Sequence, residues 1–420
     1  MTAPTTTAAR PLDVPAAPVP TVGSHVRDYL ARVRGGDMGA LPAVLGLIVL
    51  CAIFSVLHDS FLTQGNFANL FTQGAAVTVI AMGLVFVLLL GEIDLSAGFA
   101  SGVCAAVLAQ LVTLRGFPWY VAVLAAIATG ALIGFVLGFL VAKVGIPSFV
   151  VTLAAFLAFQ GVVLLLIKGG TNVSVHDEVI RAIEIRNMPP WLGWAMAVVG
   201  IAGYAAVQLL RHRNRTARGL VTEPLAVVWF RIGVLAVLVG TAVHILNLER
   251  SHNPLVSLRG VPIVVPIIVL LLVLWTFVLN RTAYGRHIYA VGGNREAARR
   301  AGINVDRIRI SVFVICSSMA AVGGIIAASR GGSVDANTGG SNVLLYAVGA
   351  AVIGGTSLFG GKGRVFDAVL GGAVIAVIDN GMALMNVSSG VKYVFTGLVL
   401  LAAASVDAVS RRRATATGNR

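Results

Sequence analysis

The chain has 420 residues, of which 57% are hydrophobic and only 11% are charged. Soluble domains carry about 25% charged residues, so the composition excludes a soluble globular protein and indicates a polytopic protein whose surroundings are the lipid membrane. The net charge of +14 is concentrated in short segments between apolar runs, a distribution typical of membrane proteins, so no nucleic-acid partner is expected.

Residues 1–39 contain Pro, Thr, Ala and scattered Arg without an apolar core, which is typical of a disordered cytoplasmic tail. A spanning helix needs about 20 mostly apolar residues. The sequence therefore predicts an all-α polytopic fold, with residues 40–409 as the transmembrane domain and 410–420 as a basic cytoplasmic tail. About twelve spans are expected, at 40–58, 73–91, 95–114, 119–142, 148–167, 193–210, 226–247, 261–280, 309–329, 343–358, 366–385 and 390–409.

The charges of the connecting segments indicate their sides. The segments 211–219, 281–309, 360–364 and 410–413 are basic, and the segments 58–69 and 331–342 are nearly free of Lys and Arg. By the positive-inside rule the basic segments are cytoplasmic, and an even number of spans then places both termini in the cytoplasm. Arg231 falls inside a predicted span near its inner end, where its side chain is expected to reach the headgroups.

Two interruptions of the apolar pattern resemble each other. "GEIDLSAG" (91–98) and "GGTSLFGG" (354–361) both fit G-x-x-[D/S]-L-x-x-G. Glycine together with Asp, Ser or Thr ends one helix and caps the next, so both motifs predict breaks. Internal duplication and chance similarity both explain the likeness. A different glycine pattern, Gly130, Gly134 and Gly138, places small residues on one helix face and predicts close helix packing.

Polar residues within otherwise apolar segments are candidates for a translocation path. They are Asp94, Ser96, Thr356, Ser357, Asp379 and Asn380. Helix capping explains Asp94 and Ser96 equally well, and a polar pair facing the bundle interior explains Asp379 and Asn380.

The sequence contains no recognisable catalytic motif. No phosphate loop, nucleophile motif or metal-ligand spacing occurs, and the three cysteines lie unpaired in apolar runs. We therefore expect no catalytic residues, no metal site and no enzyme activity in this chain. Asp379 near the middle of a predicted span leaves an ion-coupled secondary carrier as an alternative to a passive pore.

The segment 289–306, "YAVGGNREAARRAGINVD", predicts a short polar helix between two apolar runs. Gly292 and Gly293 separate it from a strand-like "IYAV", Asn294 is the expected N-cap, and Gly302 is the expected stop. Glu296 precedes Arg300 by four residues, the favourable order. Arg295 and Arg299 share one face, and Ala297 and Ala301 share a small face suited to a groove in a soluble partner. An ordinary solvated loop helix is the alternative.

The sequence "EAARRAG" (296–302) matches E-A-A-x-x-x-G, the cytoplasmic coupling motif of ABC-importer membrane subunits. With "GEIDLSAG", "GIPSFVVTLAAF" (145–156), "AVGGNREAARRAGI" (290–303) and "GGTSLFGGKG" (354–363), residues 60–409 resemble the ribose/xylose/arabinose-type sugar permeases. The additional pair of spans near 193–247 makes the xylose permeases most similar. "VFVI" (312–315) stands where the maltose-type subfamily has I-x-L-P, a departure that points away from that subfamily.

This resemblance implies a permease homodimer in the bacterial plasma (cell inner) membrane, two cytoplasmic ATPase subunits and an extracytoplasmic sugar-binding protein. No cofactor is implied for this chain, because ATP is bound by the partner subunit. The two breaks would lie near the translocation path, and residues 290–303 would be the coupling helix. The implied coupling residues are Gly292, Gly293, Asn294, Glu296, Ala297, Ala298, Ala301 and Gly302.

Overall fold

The computed structural model describes residues 39–168, 171–220, 222–251 and 257–416, together with residues 23, 24, 27, 31, 253 and 255. The predicted tail at residues 1–39 lies almost wholly outside the described residues, so its expected disorder stays a prediction.

The described chain folds almost entirely into helices, in the order α1 Leu41–Leu57, a 3-10 turn Asp59–Leu62, α2 Gln64–Gln73, α3 Ala75–Leu89, α4 Ala97–Ala109, α5 Trp119–Phe139, α6 Ser148–Leu166, α7 Glu178–Ile185, α8 Pro190–Ala217, α9 Leu225–Asn247, α10 Val264–Arg281, α11 Ala283–Gly293, α12 Arg295–Arg300, α13 Val305–Gly331, α14 Ser341–Ile353, α15 Val365–Leu384 and α16 Ser389–Ala416. Short π-helical turns extend α4 through residues 110–114 and α5 through residues 140–144. Two strands of two residues, β1 Val173–Ser174 and β2 Ser333–Val334, pair antiparallel between loops.

Nine helical segments of the described residues are long and apolar enough to cross a membrane. Three further apolar helices, α1, α14 and residues 389–402 of α16, are shorter. A polytopic helical membrane protein is therefore confirmed, and each of the twelve predicted segments contains an apolar helix. The number of complete spans differs, since 13 residues of α14 rise only about 20 Å, less than a bilayer core of about 30 Å.

One predicted outer loop, 58–69, is instead helical. Thr63 caps α2, since its hydroxyl accepts from the backbone N–H of Asn66, and α2 continues through Gly74 into α3. The helical segment is Gln64–Leu89, and only its second part is an apolar run. The predicted span at 73–91 therefore begins nine residues after the start of the helical segment.

The 27-residue helix α13 lies at the centre of the bundle and packs against α3, α4 and α5. The predicted glycine face of α5 meets it directly, because an added Cβ would lie 2.6 Å from the Ser317 carbonyl oxygen at Gly130 and 2.3 Å from that of Phe313 at Gly134. Backbones this close require glycine, and the predicted close packing is confirmed.

Helices α4 and α14 both begin inside the bundle. Asp94, just before α4, lies beside Cys316, which is near the middle of α13. The segment 331–342, predicted as an outer loop, instead returns inward after β2, and an added Cβ at Gly98 would lie 2.8 Å from the Gly339 carbonyl oxygen. Non-helical backbone at this depth is tolerated in membrane proteins where it is enclosed by protein or lines a polar cavity.

Candidate functional site

Helix α12 lies at one end of the bundle, called here the coupling end. Asn294 caps it, as its Oδ1 accepts from the Ala297 N–H at 2.9 Å. Glu296 accepts from Arg300 at 3.3 Å, and Gly302 ends the turn with a φ of +81°. The local signals read from the sequence therefore produce the expected short helix.

The segment before α12 differs from its prediction. "IYAV" is not strand-like, because residues Ala283–Gly293 form helix α11, with Thr282 as the N-cap that accepts from the Gly285 N–H at 3.1 Å. Gly292 and Gly293 are the last residues of this helix rather than a flexible link. A Cβ at Gly292 would lie 1.8 Å from the Leu89 carbonyl oxygen, whereas one at Gly293 would meet no atom of the described residues within 4 Å.

The outward face of the α12 segment is small and unobstructed. Ala297, Ala301 and Gly302 are exposed, and Arg299 and Arg300 both pair with Glu296 at the rim of this face. Ala298 points the other way and is only 4% exposed within the hydrophobic core, so it seats the helix on the bundle. The geometry can receive a rigid partner surface at the alanines and Gly302.

The Arg295 side chain is 44% exposed, but its guanidinium contacts the bundle. It donates to the Leu90 carbonyl oxygen at 3.1 Å and to Glu92 Oε1 at 2.8 Å, and Arg309 of α13 donates to the same Oε1 at 2.6 Å. The Glu92 side chain is 6% exposed and that of Arg309 15% exposed. One buried carboxylate thus joins α12, the break after α3, and α13.

Glu92 lies within "GEIDLSAG", but the sequence predicts no role for it. An available signal was that an acid beside a long apolar run needs a cationic partner. The partners lie more than 200 positions later in the chain, and no sequence spacing identifies them.

The two motif-like breaks meet at the coupling end. The Gly361 N–H donates to the Leu89 carbonyl oxygen at 2.8 Å, and an added Cβ at Gly360 would lie 2.8 Å from the Gly292 carbonyl oxygen. The Tyr289 hydroxyl of α11 donates to the Gly363 carbonyl oxygen at 2.7 Å. Burial raises the pKa of Tyr289 above its ordinary value. We call this contact of residues 89–92, 289–295 and 360–363 the coupling junction.

Asp94 and Ser96 occupy the middle of the bundle and are 1% and 0% exposed. Asp94 Oδ1 accepts from the Ser96 N–H at 2.9 Å and from its hydroxyl at 2.6 Å, within the turn that precedes α4. Ser96 is the N-cap residue of α4, and no side-chain hydrogen bond caps this helix among the described residues. Asp94 Oδ2 is buried without a hydrogen-bond partner among the described residues. Helix capping therefore does not account for Asp94, whose Oδ1 instead holds the turn that leads into α4.

Thr356 and Ser357 lie in the second break beside the coupling junction. The Ser357 N–H donates to the Lys362 carbonyl oxygen at 2.9 Å, and the Ser357 hydroxyl accepts from the Phe359 N–H at 3.2 Å, so Ser357 shapes the turn. Thr356 Oγ1 is buried without a hydrogen-bond partner in the described part of the chain.

Asp379 and Asn380 lie at the opposite end of the bundle, on α15. Asn380 exchanges two hydrogen bonds of 2.8 Å with Asn66 of α2 and donates to Gln73 at 3.1 Å. Asp379 is ion-paired with Lys392 and accepts from Gln73. The six predicted path residues therefore lie at three levels of the bundle and form no single cluster.

Glu184 of α7, which the sequence reading did not single out, is buried near the end of α13. The Glu184 backbone N–H donates to Ser329 Oγ at 3.1 Å, but neither carboxylate oxygen has a hydrogen-bond partner among the described residues. Burial raises the pKa of Glu184 to about 8 although nearby Arg330 opposes the shift. In the described ranges, no group of three or more His, Cys, Asp or Glu residues could hold a metal ion.

Comparisons with known proteins give one family and several full-length relatives. The family described as "Branched-chain amino acid transport system / permease component" matches residues 66–404. The xylose transport system permease protein XylH of Escherichia coli K12 is 36% identical over 94% of this chain and 97% of its own length, and that of Haemophilus influenzae is 33% identical over 91% and 99%. The ribose import permease protein RbsC of Escherichia coli K12 is 32% identical over 87% and 92%. No solved structure matches the chain.

Proposed function

Since this chain belongs to the family of permease components of the branched-chain amino acid transport system, we propose that it is the membrane-spanning permease subunit of an ABC importer for a monosaccharide, xylose or a related pentose. The resemblance to xylose and ribose permeases that the motifs indicated is confirmed by relatives of matching length. Although the family description names amino acids, these relatives are named for sugars, and they support the sugar as substrate class.

The observation that carries the proposal is the linkage of Arg295, Glu92 and Arg309. A soluble ATPase seated on Ala297, Ala301 and Gly302 would push on a six-residue helix with little internal freedom. Through Arg295 that displacement would reach the non-helical segment 90–96 and then the first turn of α4. The ion pair between Arg295 and Glu92 and the continuous backbone from Glu92 to α4 thus connect an exposed face with the middle of the bundle.

The chain itself would supply a gated pore half, and ATP would be bound by the partner subunit. Asp94, Ser96 and Thr356 would present polar atoms to a hydroxyl-rich sugar along the path, and Asp379 and Asn380 would do so near its opposite end. We propose a homodimer in the bacterial plasma membrane, with the coupling end in the cytoplasm because its connecting segments are basic. An extracytoplasmic binding protein would deliver the sugar to the opposite end.

Reconstitution in liposomes tests the proposal. The chain alone is expected to give no xylose uptake, with or without a proton or sodium gradient. Addition of the ATPase and the binding protein is expected to give uptake that depends on ATP. Gradient-driven uptake by the chain alone would instead identify an ion-coupled secondary carrier, for which the Asp379–Lys392 ion pair would be the first candidate site.

A further inference from the structure

A polar cleft lies between the ends of α8 and α9, far along the chain from the coupling junction. It has a volume of about 100 Å³. It is lined by Gln208, Arg211, His212, Arg215, Thr222, Glu223, Val228 and Arg231.

The positions on α8 share one helix face, since Gln208, Arg211 or His212, and Arg215 follow one another at intervals of three or four residues. The helical spacing therefore directs the arginine side chains of α8 toward the cleft. Opposite them, Arg231 of α9 donates to Glu223 at 2.8 Å. That carboxylate neutralises one guanidinium, so Arg211 and Arg215 leave the cleft with an excess of two positive charges.

The surroundings of the cleft place it at a membrane surface. Helices α8 and α9 are the outer pair of the bundle, with only 11% and 17% of their most apolar windows buried. Beside the cleft on α9, Trp229 and Phe230 are 53% and 71% exposed, as is typical of aromatic side chains at the boundary between lipid tails and headgroups. Val228, an apolar residue of the cleft lining, directly precedes these two aromatic residues on α9. A lipid packed on the exposed apolar surface of the helix pair would therefore have its headgroup close to the cleft.

We propose that this cleft is a binding site for the phosphate of an anionic phospholipid headgroup. Guanidinium groups match phosphate oxygens with paired hydrogen bonds, and basic pockets between spanning helices are suited to such headgroups. The Thr222 hydroxyl and the Gln208 amide supply further donors for the glycerol and phosphate oxygens. The bound lipid would hold the α8–α9 pair at the membrane surface. It would lie outside the sugar path.

Native mass spectrometry of the full-length purified chain, titrated with phosphatidylglycerol or phosphatidylcholine, tests the proposal. Wild type is expected to bind phosphatidylglycerol about tenfold more tightly, since each arginine near an anionic headgroup contributes on the order of a threefold to tenfold preference. Arg211→Gln/Arg215→Gln is expected to reduce that preference to about twofold or less. Arg213→Gln/Arg218→Gln removes the same charge from the same helix end outside the cleft lining, and is expected to keep it.

A separate titration with inorganic phosphate distinguishes the two sources of the anion. Phosphate at millimolar concentration is expected to leave lipid binding unchanged, because it lacks the acyl tails that would pack on the exposed apolar surfaces of α8 and α9. Displacement of the lipid by phosphate alone would overturn the assignment to a lipid. Equal binding of the two lipids by wild type would contradict the proposed site, and this measurement does not depend on the folding of any variant. An undiminished preference in Arg211→Gln/Arg215→Gln would also contradict it.

Discussion

Arg295 of α12 donates to Glu92 at 2.8 Å, which ties the helix at the coupling end to the segment leading into the middle of the bundle. Glu92 also holds Arg309, so the carboxylate is the shared partner of two cations on different elements. Removing the acid would leave Arg309, which is 15% exposed, without its counter-ion. The acid is therefore the member of the cluster whose loss should matter most.

We expect Glu92→Gln to lower ATP-dependent uptake at least tenfold while the ATPase still co-purifies with the permease. The amide keeps the shape but removes the charge that holds Arg295 and Arg309, at a cost to stability of roughly 1–3 kcal/mol. The matched control is Asp306→Asn at the same end, because its pair with Lys143 is exposed and contributes less than about 1 kcal/mol. Normal uptake by Glu92→Gln would show that the cluster only supports the fold.

Neighbouring glycines at the end of α11 offer a second comparison. We expect Gly292→Ala to impair uptake and to destabilise the protein by roughly 1–3 kcal/mol, because its Cβ would lie 1.8 Å from the Leu89 carbonyl oxygen and the two backbones would have to separate. The Cβ added by Gly293→Ala meets no atom within 4 Å in the described part of the chain, so this variant is expected to be neutral or slightly stabilising. Thermal unfolding and uptake are measured for both variants. Equal stability and uptake of the two would show that the close approach of Gly292 to Leu89 is not needed for coupling.

The sequence predicts those parts of the fold that depend on local composition. Apolar length located the helical segments, the glycine spacing on α5 predicted its contact with α13, and Asn294 with Gly302 bounded α12. The polar helix α2 was missed because "QGNFANLFTQ" is mostly polar and only its Thr63 cap marks it. "IYAV" was misjudged because β-branched and aromatic residues also fit a helix that packs on a core.

Long-range pairing is what the sequence could not supply. Glu92 finds its partners across more than 200 residues, and Asn380 pairs with Asn66 across 314. The inward return of residues 335–340 against α4 likewise depends on the packing of Gly98 and Gly102, which have no local signature. The predicted path residues were chosen for being polar in apolar surroundings, a criterion that gives no information on their depth.

Glu184 predicts a dependence of stability on pH. Because burial raises its pKa from 4.5 to about 8, the folded state holds the proton more tightly than the unfolded state. The stabilisation that this provides is fully present below about pH 4.5 and is lost as the pH rises toward about 8, since the folded protein must then carry a buried charge. We expect the loss to be on the order of 4 kcal/mol between pH 5 and pH 9, since each pKa unit corresponds to about 1.4 kcal/mol.

Thermal unfolding of the purified protein across that pH range measures the effect. Glu184→Gln is expected to flatten the profile and to be more stable than wild type at pH 9, since the amide remains neutral. Glu178→Gln, on the same helix with an 86% exposed side chain, is the control and should follow the wild-type profile. A wild-type slope retained in Glu184→Gln would assign the pH dependence to other groups.

The outward face of the α12 segment gives the most direct test of coupling to an ATPase. Ala301 is exposed, so Ala301→Glu is expected to leave the permease folded while placing a charge where a partner surface must pack closely. Gly302 has a φ of +81°, and none of the described residues has an atom within 4 Å of an added Cβ. Gly302→Val should therefore act only through the backbone conformation that a β-branched residue disfavours, at about 1–2 kcal/mol. Both variants should insert and dimerise normally, retain less of the co-purified ATPase, and lose ATP-dependent uptake.

Arg299→Ala removes only an exposed pair with Glu296 at 3.7 Å and should change attachment by less than about threefold. If Ala301→Glu and Gly302→Val both retained the ATPase and transported at the wild-type rate, the partner would have to dock elsewhere, and α12 would be a solvated helix held in place by Arg295.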